Sequence, residues 1–111
     1  MRRRTREGFR SEATAHDAHG QRTFLLDQHS ATTARLALRW LHVRVEHIAH
    51  QLDPPIARPV YGWIADHLAQ ERVLTALFLG ETYAHTIHDG ALTYVLTAFP
   101  APGTRSFRQA R

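Results

Sequence analysis

From Thr23 onward apolar residues recur at helical spacing, whereas the first twenty positions are polar and hold almost no large apolar side chain beyond Phe9. Ala34, Leu38, Leu41, Val45, Ile48 and Leu52 step by four, three, four, three and four, a stripe that predicts a first long helix ending at Leu52. Leu36, Trp40 and Val43 fall on its other side, so this helix is expected to sit between neighbours. Asp53-Pro54-Pro55 stops it and opens the next, because proline is tolerated in a first helical turn and Asp can cap it. The second helix is expected from Ile56 to Leu79, with Gly80 as a left-handed C-cap. The third runs from Glu81 or Thr82 to Phe99, where Pro100, Pro102 and Gly103 end it.

No segment is read as alternating with period two. The fold class expected is therefore all-α: a small helical bundle of three main helices in which the second and third form an αα-hairpin. Residues 1–20 are expected to be a flexible basic N-terminal arm, residues 21–99 a single helical domain, and residues 100–111 a flexible basic C-terminal tail. Three helices with two-sided apolar surfaces leave more apolar area than so short a bundle covers, and a homodimer or other homo-oligomer is the expected remedy.

Composition sharpens this picture in two places. The chain has 111 residues, enough for one core, and no cysteine, which excludes disulfides, thiolate nucleophiles and Cys-ligated metal. The longest uncharged run, Gly90 to Thr104, is interrupted by two prolines and is too short to span a bilayer. The basic N-terminus is followed by acids where a leader peptide would carry apolar residues, so a cytoplasmic location is expected.

Charge is uneven. Net charge is +4, yet residues 1–10 hold five Arg against one Glu and residues 105–111 hold three Arg and no acid, leaving the span between them acidic. All fourteen basic residues are Arg, and Arg2, Arg3, Arg4, Arg6, Arg10, Arg105 and Arg108 are the expected contacts to nucleic acid phosphates or another anionic partner. The stretch after Ile64-Ala65-Asp66-His67-Leu68-Ala69 is apolar where a helix-turn-helix would place its base-reading helix, so the body of the protein is not expected to read bases.

The second place is histidine, of which there are nine. On the expected second helix Val60, Ile64, His67, Glu71, Leu74 and Phe78 share the apolar stripe, which puts an imidazole and a carboxylate where a core needs them paired or ligated. His85 and His88 fall on one edge of the expected third helix, and the hairpin would place Glu71 near His88 and Asp89. A divalent metal such as zinc, iron or manganese held by His67, Glu71, His85 and His88 is the alternative expectation, with hydrolytic or redox chemistry as its consequence. No phosphate-cradling glycine loop or nucleophile elbow occurs, and no catalytic residue is assigned. The reading is of a non-enzymatic interaction protein that needs no cofactor and uses its Arg-rich ends.

Overall fold

The computed structural model describes residues 8–19 and 21–101. It overturns the all-α helical bundle: a four-stranded antiparallel sheet is followed through by three helices in the order ββαααββ. Strands β1 (Gly8–Asp17) and β2 (Thr23–Ala31) form one hairpin, and β3 (Tyr83–Asp89) and β4 (Leu92–Ala101) form another. Between them lie α1 (Ala34–Ala49), α2 (Pro54–Ala65) and α3 (His67–Phe78). The spatial order β2-β1-β4-β3 makes the first and last strands the two central ones, paired along ten positions. The helices cover one face of the sheet.

Of the expected helices, the first forms. Thr33 caps it by accepting the Leu36 N–H at 3.1 Å, and Ala34, Ala37, Leu41, Val45 and Ala49 make its buried stripe. Leu36 and Val43 are exposed, so α1 buries one face and needs no neighbour on the other. The second expected helix is broken at Asp66, whose backbone leaves helical geometry and whose carboxylate caps α3 by accepting from Leu68 N and Ala69 N at 3.0 and 3.1 Å. Asp, a favoured N-cap, competes with helix continuation here.

The third expected helix does not exist. Gly80, at φ 84°, closes α3 in the left-handed conformation, and the Glu81 N–H returns to Ala76 O at 2.9 Å. Beyond it the chain is extended, turns at Gly90-Ala91, where Gly90 has φ 45°, and returns as β4. Asp-Gly is a strong hairpin signal. Tyr83, His85 and Ile87, followed by Leu92, Tyr94, Leu96 and Ala98, alternate toward the helices. Ala84, Ile87, Ala91, Tyr94 and Ala98 mimic a helical stripe only because small residues fill both patterns.

The expected N-terminal arm is corrected too. Its residues 8–17 are β1, whose Phe9, Ser11, Ala13 and Ala15 face the helices while Arg10, Glu12, Thr14 and His16 face away. The alternation is faint to read because its inward residues are alanine and serine. Those small groups let α1 approach closely, and the core they help build holds Leu41, Val45, Leu77 and Leu96 at 2% exposure or less. Full burial of each such side chain contributes about 1.5–3 kcal/mol. Pairing of β1 with β2 shifts register between Ala13 and Thr14, leaving Leu26 as an extra, bulged residue.

Candidate nucleic-acid interface

Antiparallel pairing of β1 with β4 makes Gly8 and Ala101 register partners. Opposed residues in such a ladder lie about 5 Å apart, so the described span begins and ends side by side on the two central strands, in the middle of one end of the sheet. Residues 1–7 hold four Arg against one Glu and residues 102–111 three Arg and no acid, each net +3. The span 8–101 holds seven Arg against nine acids, net −2. Charges a hundred positions apart in sequence are thereby attached at one place, next to a body that is mildly acidic.

The sheet face turned away from the helices runs from that end. Arg10 stands opposite Phe99 on β4 and Ser30 on β2, and Glu12 stands opposite Thr97 and Gln28. The Arg10 guanidinium donates to Gln28 Oε1 and lies 3.5 Å from Glu12 Oε2, which orients the cation and partly offsets it. Phe99 is half-buried and takes no part in the core. The Arg10 guanidinium is drawn toward β2 while Phe99 lies on β4, so the two are separate features of one open sheet face, and unpaired bases stack on either kind of group. Arg2, Arg3, Arg4, Arg6, Arg105 and Arg108 lie outside the described residues.

The four residues of the expected metal set are not brought together. His67 and Glu71 are exposed on α3. His85 and His88 are three apart on a strand, where side chains alternate, so they point to opposite faces of the sheet. His88 is exposed beside Thr93, its Nδ1 3.3 Å from the threonine Oγ1. Among the described residues no group of three or more His, Asp or Glu side chains is arranged to hold a metal ion.

His85 instead enters an aromatic cluster. Its ring centroid is 4.4 Å from that of Trp63 on α2, and its Nδ1 is 3.3 Å from the Tyr83 hydroxyl. Burial lowers the His85 pKa from its ordinary value and raises that of Tyr83, where a hydrogen bond with Trp63 acts the other way. Both shifts favour the neutral forms, an imidazole beside a protonated phenol.

The sequence reading missed the Arg10–Phe99 pair and the Trp63 cluster because both depend on strand register. Asp89-Gly90, flanked by alternating residues, was the available signal. Among the described residues no helix is long and apolar enough to cross a membrane. No family model, no curated protein and no solved structure matches this chain.

Proposed function

We propose that this is a non-enzymatic protein that binds single-stranded nucleic acid through its two Arg-rich ends, which act as one basic clamp beside the open sheet face. The register pairing of Gly8 with Ala101 carries the reading, since residues 1–7 and 102–111 are attached at these two neighbouring positions at one end of the sheet. Phosphates are neutralised by the arginines, and Phe99 with Arg10 offers an adjoining surface for an unpaired base.

The test is fluorescence anisotropy with a labelled single-stranded oligonucleotide across a salt series. The intact chain is compared with variants lacking residues 1–7, residues 102–111, or both. Each end is expected to contribute about 2 to the negative slope of log K against log salt, the value for three charges on a single strand. Removal of both abolishes binding. Binding that is insensitive to salt or unchanged in the double truncation overturns the proposal, as does tighter capture by anionic lipid vesicles than by the oligonucleotide.

Self-association belongs to the same reading. β2 is an edge strand with a free row of backbone groups, and Phe24, Leu25 and Leu26 are 44%, 55% and 51% exposed. An edge of this kind, with three exposed apolar residues and Asp27 as its charged side chain, pairs readily with another strand, and a second copy presenting its own β2 is the proposed partner. Light scattering of the intact protein distinguishes a dimer from a monomer, and Leu25→Lys is expected to shift it to monomer.

A further inference from the structure

We infer that the hollow between α1 and the β1–β2 side of the sheet is a binding site for an amphipathic organic acid, a single carboxylate on an apolar chain. Packing explains why the hollow exists. α2 and α3 lie against the β3–β4 side of the sheet, so among the described residues α1 is the helix that roofs the β1–β2 side. Ala13 and Ala15 of the central strand, 2% and 3% exposed, are buried at its inner wall, and the space opens outward between the α1 stripe and the exposed Phe24 and Leu26. The resulting cavity is half-enclosed and about 560 Å³. Small-molecule pockets fall at about 300–1,000 Å³.

The lining is sorted by chemistry. Phe24, Leu26, Ile48, Leu92 and Tyr94 complete the apolar wall, and Leu26 is there because of the β-bulge: as the extra residue of β2 it leaves the ladder and borders the hollow. Bulges commonly re-aim a side chain beside a site. The polar lining comes from one stripe of α1 and the turn after it, Arg44, His47 and Gln51. Among the described residues the charged lining is thus one guanidinium, ion-paired with Asp27, which does not itself border the space.

Arg44 is held in place before any ligand arrives. Its Nη1 donates to Asp27 Oδ2 at 2.9 Å, its Nη2 lies 3.1 Å from His47 Nδ1, and its guanidinium lies 5.9 Å from the Trp40 ring centre. Trp40 is in turn stacked on His29, their centroids 5.9 Å apart and their planes 6° from parallel. A guanidinium has five N–H donors, so these contacts leave donors for a ligand carboxylate. The apolar chain of that ligand would lie against Phe24, Leu26 and Ile48, replacing water there. The donors that Arg44 keeps beside its ion pair with Asp27 select a carboxylate acceptor over the alcohol or amine of equal length.

Calorimetric titration of the full chain with decanoate, decanol and decylamine, each below its aggregation limit, tests this. Decanoate is expected to bind at one site per chain at least tenfold more tightly than decanol, with decylamine weakest. Arg44→Gln should reduce decanoate to the affinity of decanol and leave decanol unchanged. Leu26→Asn, at an exposed position that the fold tolerates, should weaken both. Ala15→Phe should fill the space and remove all binding, provided that the variant retains a cooperative melt; Leu26→Asn decides the matter if it does not. Equal affinity for decanoate and decanol, or unchanged decanoate binding in Arg44→Gln, overturns the inference. So does displacement of decanoate by a single-stranded oligonucleotide, which would place the acid on the basic ends. The result is independent of whether those ends bind nucleic acid.

Discussion

The imidazole of His85 lies 4.4 Å, centroid to centroid, from the indole of Trp63, joining edge strand β3 to helix α2. Burial disfavours the imidazolium, so the folded pKa is below the ordinary value.

A pH dependence follows with a definite sign. Below about pH 6.5, where a histidine in the unfolded chain takes up a proton, the unfolded state binds more protons than the folded one, and stability falls as pH falls toward the lowered folded pKa. Above that window the His85 contribution is constant. The melting temperature is expected to drop between pH 7 and pH 5, and His85→Phe should flatten that part of the curve. An equal drop in the variant would assign the effect to other groups. Tyr83, raised by burial, acts at the other end: stability should fall as pH rises above 10, because the unfolded phenol ionises first.

Leu41 and Leu96 are fully buried where α1 meets the sheet. Truncation of either to Ala should lower unfolding free energy by about 2–5 kcal/mol, the range for a core cavity. Urea denaturation measures it. The exposed Leu36→Ala, on the outer side of α1, should change stability by less than about 0.5 kcal/mol.

Asp66 ends α2 and caps α3 with two hydrogen bonds to backbone N–H groups. Asp66→Ala is expected to cost about 1 kcal/mol. Thr33→Ala, which removes the single cap of α1 at Leu36 N, should cost a similar or smaller amount. Asp66→Asn should restore most of the loss, since the amide oxygen also accepts. Failure of that rescue would show that charge, and not capping, matters at this position.

Gly80, at φ 84°, turns the chain from α3 into β3. Open space surrounds the position where a Cβ would stand, so Gly80→Ala tests conformation alone. The expected loss is about 1–2 kcal/mol, read from chemical denaturation.

Elemental analysis of protein purified without chelators is expected to find no stoichiometric zinc, iron or manganese, because His85 and His88 point to opposite sides of the sheet. A bound metal that is lost in both His67→Ala and His88→Ala would contradict this.

Some of this molecule was legible in its sequence. The stripe from Ala34 to Leu52 located α1, the Asp53-Pro54-Pro55 step located the start of α2, and Gly80 marked the end of α3. Each is a local effect: helical periodicity, the fixed φ of proline, and the left-handed freedom of glycine act within a few residues. The uneven charge, with basic ends and an acidic middle, is likewise a property of the sequence alone.

The strands were decided elsewhere. β1 alternates Ser11, Ala13 and Ala15 with Glu12, Thr14 and His16, a pattern too weak in apolar contrast to stand out, and it becomes a strand because β4 and β2 satisfy its backbone on both sides. Residues 83–98 fit a helical and an alternating pattern together, and long-range pairing with β1 selects the second. Strand period two then separated His85 from His88 and dissolved the expected metal set. The sequence by itself determined where α1 lies, where α2 begins and α3 ends, and how charge is distributed along the chain. Tertiary structure alone decided that Gly8 meets Ala101, that Arg44 stands at a hollow bordered by Phe24 and Leu26, and that His85 meets Trp63. The physical reason is that antiparallel pairing joins residues far apart in sequence, and no local pattern encodes the register in which they meet.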